Sequence, residues 1–148
     1  MEPCRAKTAR RASKMYRNSP FRSEKERAAL VRWHELSLEE AKAAVTLEES
    51  KKAFKQSPDE SEAGVTAFLK WVELCPTVRE IRRAYRAMPE DDSIVSVLVK
   101  ALFMKWIELC TTIKEVREVY DLVPGMSYLE KMALLKIYQL FPGSETTQ

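Results

Sequence analysis

Four segments of this chain repeat one pattern: a threonine, an aromatic residue eight positions later, a proline four beyond that, and a serine shortly after. They run Thr8–Tyr16–Pro20–Ser23, Thr46–Phe54–Pro58–Ser61, Thr77–Tyr85–Pro89–Ser93 and Thr112–Tyr120–Pro124–Ser127. A second block follows each serine and ends on Trp33, Trp71, Trp106 and, in the last copy, Ile137. Measured by the aromatic residue, the period is 38, then 31, then 35 residues. A period in this range marks stacked supersecondary units, each too small to bury its apolar face alone.

Each threonine heads a helix. Thr46-Leu-Glu-Glu49, Thr77-Val-Arg-Glu80 and Thr112-Ile-Lys-Glu115 are capping boxes, in which the hydroxyl accepts from the third amide and the carboxylate reaches back. Thr8-Ala-Arg-Arg11 has no such glutamate, which predicts a weaker first cap. Behind the threonines, apolar residues recur with a helical period, as in Val78, Ile81, Ala84, Tyr85 and Met88, or Ile113, Val116, Val119, Tyr120 and Val123. Tyr85 and Tyr120 are thereby expected to be buried anchors. The proline ends each of these B helices, because the residue before it is pushed out of the helical region.

Each serine heads the next helix, A, with capping boxes expected at Ser23-Glu-Lys-Glu26 and Ser127-Tyr-Leu-Glu130. Trp33, Trp71 and Trp106 sit among apolar residues at helical spacing, which predicts a packing role for them. Cys75 and Cys110 share one repeat column, again a sign of packing rather than redox chemistry. From Trp33 to Thr46 the chain holds seven residues more than the equivalent stretches. Seven residues are close to two helical turns, so residues 37–45 either extend the A helix or form a short helix capped by Ser37.

The expected fold is all-α: one helical-repeat domain over 1–148, a short α-solenoid of about 35-residue helix–turn–helix repeats. Its order is B–(A–B)×3–A, read as seven helices. The basic first helix covers about 5–18, the repeats about 23–58, 61–89 and 93–124, and the final helix about 127–141. The glycine content agrees. Gly64, Gly125 and Gly143 cannot supply the turns of a multi-stranded β protein or a phosphate-cradling loop.

The tryptophan of helix A, the Ala84-Tyr85 type of pair in helix B and the closing proline together resemble the tetratricopeptide-like superclass of helix–turn–helix repeats. The resemblance is one of architecture. The interval of thirteen residues from Pro58 to Trp71 is longer than in that pattern, and its small-residue glycine position is absent. It implies a protein-interaction scaffold and assigns no site residues.

No pattern for catalysis stands out. His34 is the single histidine, no nucleophile is marked by a strained turn, and no CxxC or HxxxH provides metal ligands. The expectation is a non-enzymatic adaptor without metal or cofactor. Glu90-Asp91-Asp92 reads as acid placed at a helix start. Two surfaces remain as candidates. The net charge of +3 is uneven: Arg5, Lys7, Arg10, Arg11, Lys14, Arg17 and Arg22 face Glu2 alone in the first 22 residues. A one-sided basic helix contacts phosphates, an acidic protein or anionic lipid, or is simply solvated. The last helix is apolar nearly all round. Leu134, Ile137, Tyr138 and Phe141 on it either pack deeper into their own chain or point to a partner protein or a second copy of the chain.

A nucleic-acid partner for the basic helix is the alternative. No apolar run approaches the ~18 residues of a membrane span, and the N-terminus lacks the apolar stretch of a signal peptide. With Cys4, Cys75 and Cys110 forming an odd set without CxxC, a cytoplasmic location is expected.

Overall fold

The computed structural model describes residues 3–59, 61–88, 92–123 and 125–141, without the side chains of residues 92–96. Regular structure among these residues is entirely helical. The helices are α1 (Ala9–Asn18), α2 (Glu24–Ala43), α3 (Leu47–Gln56), α4 (Glu62–Leu74), α5 (Val78–Ala87), α6 (Asp92–Leu109), α7 (Ile113–Leu122) and α8 (Ser127–Leu140). Eight helices replace the expected seven, because each of the four threonine-led and four serine-led segments forms its own. The first begins at Ala9 rather than near residue 5, so Arg5 and Lys7 precede it.

The threonine N-caps form at all four positions, and the reciprocal bond of a full capping box is described at Thr112. Thr8, Thr46, Thr77 and Thr112 are extended, and each hydroxyl accepts from the amide three residues on. Where Thr8 lacks the partner glutamate, Glu40 from the far end of α2 substitutes: its carboxylate accepts from Ala9 N at 2.8 Å. Ser19, Ser57 and Met88 end α1, α3 and α5 in extended backbone, as a residue before proline must. The closing prolines Pro89 and Pro124 lie outside the described residues. The serine starts hold in part. Ser23 and Ser61 accept from Glu26 N and Gly64 N. Ser127, however, is already inside α8. There Glu130 accepts from the amide of Gly125 (2.9 Å), whose φ of +82° favours glycine.

At Thr112 the capping box is complete. The Glu115 carboxylate accepts from Thr111 N at 2.9 Å, the Thr111 hydroxyl at 3.1 Å and Thr112 N at 3.2 Å. These bonds, the Thr111 amide first, hold the Glu115 carboxyl below its ordinary pKa. A lowered folded-state pKa contributes stability above the ordinary carboxylate range, which is lost as pH falls through the folded value. Melting temperature measured against pH should therefore fall less steeply on the acid side for Glu115→Gln than for the wild type. Equal acid slopes would contradict this account of the cap.

The chain divides into two compact units, Met1–Leu74 and Cys75–Gln148. In both, the closest partners are a B helix and the A helix that follows it: α1 with α2, α3 with α4, α5 with α6 and α7 with α8. The repeat is therefore a B–A hairpin, not the A–B pair taken from the sequence. Four hairpins account for all eight helices, and neither α1 nor α8 is half of a repeat.

In the first unit α2 also packs on α4, and the crossing is made of small residues. Ala41, Ala53 and Ala67 bring α2, α3 and α4 together with Phe54 against them. Residues 37–43 extend α2 as one continuous 20-residue helix rather than forming a separate one. The extension is used: Ala41 enters the core, and Glu40 caps α1. Near the other side of α2, Ala6, Ala9, Ala12 and Leu36 form a second cluster, with Cys4 and Trp33 packed on it. In the second unit α6 packs on both α7 and α8. Its core is bulkier, with Ile81, Leu98, Leu102, Trp106, Val116, Val119 and Val123 almost fully buried. Arg82 on α5 ties α7 through a forked ion pair to Glu118.

Candidate functional site

The repeat columns give each residue an expected environment, and a site shows where a column departs from it. The aromatic and tryptophan columns meet inside each hairpin. Tyr16 lies 5.7 Å from Trp33, Phe54 5.7 Å from Trp71, and Tyr85 5.7 Å from Trp106, by ring centroids. Trp71 and Trp106 are buried, as expected of packing residues. Trp33 is half-buried, and its Nε1 donates to Gln56 O at 2.6 Å. The tyrosines correct the expectation of buried anchors. Tyr85 is only half-buried, and Tyr120 is 38% exposed. In the fourth hairpin Ile137 replaces tryptophan, so Tyr120 has no indole to pack on.

Cys75 and Cys110 are buried. Burial first, then nearby Glu115, pushes the Cys110 thiol up to about 11, so it stays protonated at neutral pH. His34 is exposed on α2. Among the described residues no three His, Cys, Asp or Glu side chains gather as ligands for one ion. Of the acidic triplet, Glu90 and Asp91 lie outside the described residues.

A column that sequence reasoning passed over is the base directly before each tryptophan or its substitute: Arg32, Lys70, Lys105 and Lys136. Lys70 donates to Ala44 O (3.0 Å) and Lys42 O at the end of α2, and Lys136 donates to Glu108 O (3.3 Å) at the end of α6. A cation there meets the negative end of the helix and its unsatisfied carbonyls. Arg32 Nε likewise donates to a backbone carbonyl, Ala6 O at 3.0 Å, although no described helix ends there. Ala6 thus stands where Ala44 and Cys110 stand in later copies, two residues before the threonine, and all three are buried. The recurrence of a base beside tryptophan was the available signal.

The first candidate surface is the basic one. Arg5, Lys7, Arg10, Arg11, Lys14 and Arg17 are all exposed, and none forms an ion pair with a described residue. Arg10, Lys14 and Arg17 follow one side of α1, and Ala9 and Ala12 are buried on the other. A groove of about 550 Å³ is lined by Arg5, Ala6, Lys7, Thr8, Arg11 and Met15. A second, of about 430 Å³, is lined by Thr8, Arg10, Arg11, Lys14, Met15 and Asn18. They share Thr8, Arg11 and Met15 and so run together.

The second surface is on α8. Leu129 and Ala133 are buried. Leu134, Leu135, Tyr138 and Phe141 are exposed, and Ile137 is half-buried. Leu134 occupies the column of Phe68 and Phe103, and Tyr138 that of Val72 and Ile107, all four of which are buried. The same two columns are 53% and 65% exposed in α8. Beside this face lies a groove of about 360 Å³ between α6 and α8, lined by Met104, Ile107, Leu135 and Lys136 among others.

No helix among the described residues is long and apolar enough to cross a membrane. Comparison with protein-family models, with curated proteins and with solved structures finds no match.

Proposed function

We propose that the chain is a non-enzymatic adaptor built of helical repeats, an α-solenoid in type, and that it docks a partner protein on the open face of α8. One observation carries the reading: Leu134 and Tyr138 sit in columns that are buried in α4 and α6 but open in α8. Large apolar side chains at more than half exposure, four within one helix end, are a surface that costs solubility unless it is covered in use. The partner's chemistry follows from how the chain covers equivalent faces itself. An amphipathic helix would lay Leu- or aromatic-sized residues against Leu134 and Tyr138. A lysine or arginine on it would reach the terminal carbonyls of α8, as Lys136 reaches those of α6. A second copy of this chain is the other occupant of the same face. The odd set of three cysteines without a CxxC pair supports work in a reducing compartment such as the cytoplasm.

The test is a paired substitution, Leu134→Glu with Tyr138→Glu. Both side chains are exposed, so the melting temperature should stay within that of surface changes. Protein captured from the native lysate by the wild type at high salt should be lost by the double variant, because the partner would have to bury two carboxylates. Light scattering tells a different protein from a second copy. An identical set of captured proteins, with no change in oligomeric state, would refute the reading.

A further inference from the structure

We propose that the first hairpin is a binding track for single-stranded nucleic acid, with phosphates along α1 and a base stacked on Phe21. This does not rest on the role given to α8. The track consists of Arg10, Arg11, Lys14 and Arg17 on α1, preceded by Arg5 and Lys7, with two confluent grooves along it. None of the six is neutralised by a described carboxylate. The nearby Glu40 is already engaged with Ala9 N. Four of the six are arginines, whose planar forks fit phosphate oxygens in pairs.

Charge alone would serve an acidic peptide or an anionic membrane equally. Two observations decide between these. The apolar side of α1 is spent inside the hairpin, Ala9 and Ala12 being fully buried, so α1 cannot roll its apolar face into lipid. At the turn after α1, Phe21 is 80% exposed, more than any other large apolar residue described. The turn that presents it is built rather than loose. Arg22 is in the left-handed region at φ 59°, and its amide donates to Glu26 Oε1 at 3.3 Å. Ser23 N donates to Pro20 O at 3.1 Å. The Arg22 guanidinium lies over the Phe21 ring at 5.1 Å, covering one face and leaving the other for a base. A cationic track with an aromatic platform is how sequence-tolerant single-strand binders work, and α1 is long enough for about four nucleotides.

Fluorescence anisotropy with a labelled oligothymidylate tests this on the full chain. The logarithm of affinity should fall with the logarithm of salt with a slope of about −3 to −4, as expected for four to six phosphate contacts on a single strand. Arg10→Glu with Lys14→Glu should weaken binding by at least ~10-fold. Phe21→Ala should weaken it by about 10-fold while leaving heparin, a polyanion without bases, bound as before, and Phe21→Trp should restore it. Circular dichroism melts should not change, since all these side chains are exposed. The proposal fails if the oligonucleotide does not bind. It also fails if Phe21→Ala leaves its affinity unaltered or weakens heparin in parallel. Binding to phosphatidylserine vesicles or an acidic peptide without binding to the oligonucleotide would assign the surface to those partners instead.

Discussion

Trp106→Ala is expected to lower the stability of the protein by about 3–5 kcal/mol, the range for removing a large buried aromatic side chain. Trp106 is 1% exposed, and its ring lies 5.7 Å from Tyr85 and 5.8 Å from Phe103. Its Nε1 has no hydrogen-bond partner among the described residues, so its contribution comes from packing. Trp106→Phe should accordingly cost far less than the alanine change, because it keeps a ring and removes a buried N–H. Tyr120→Ala provides the contrast. Although Tyr120 shares the aromatic column with Tyr85, it is exposed and meets no aromatic ring among the described residues. Its loss should stay within about 1 kcal/mol. Urea denaturation of the three variants is the measurement. Similar costs for Trp106→Ala and Tyr120→Ala would mean that the columns, not the hairpin contacts, set the energetics.

Phe68→Ala is expected to cost a similar ~3–5 kcal/mol in the first unit. Phe68 is fully buried and touches both Phe54 (5.3 Å) and Trp71 (5.7 Å). Leu134→Ala, in the same repeat column, should change stability by no more than ~0.5 kcal/mol, because the side chain is more than half exposed. Hydrogen exchange adds a location: Phe68→Ala should speed exchange first in α2, α3 and α4, the helices that pack together around it. A large cost for Leu134→Ala would show that α8 is covered and would remove the basis for docking there.

Much of this fold was legible in the residues. The threonine caps, the stops before proline and the buried column of Ala12, Ser50, Ile81 and Val116 follow from local rules of helix ends and period. The pairing of helices was not legible. Connections in both directions are short, and the column pattern is the same whether a B helix packs on the A helix before it or the one after. Ring contacts such as Tyr16 with Trp33 settle this, and they are long-range. The substitute cap of Glu40 on α1 likewise depends on a helix extension whose far end returns to Ala9. Of the candidate surfaces, charge patterning marked the bases of the first, Arg5, Lys7, Arg10, Arg11, Lys14 and Arg17, all of which are exposed. Apolar composition located α8, but only burial separates Leu129 and Ala133, which hold the helix, from Leu134 and Tyr138, which are open. Phe21 escaped sequence reading because it lies outside every repeat column.

Hydroxyl-radical footprinting at low micromolar concentration tests the central claim most directly, because it reads side-chain exposure within each repeat column. Leu134, Tyr138 and Phe141 should be oxidised far faster than Phe68, Phe103 and Trp106, in line with 53–65% exposure against 3% or less. Protection of Leu134 and Tyr138 to the level of Phe103 would mean that α8 has no open face, and the interaction role assigned to it would be contradicted.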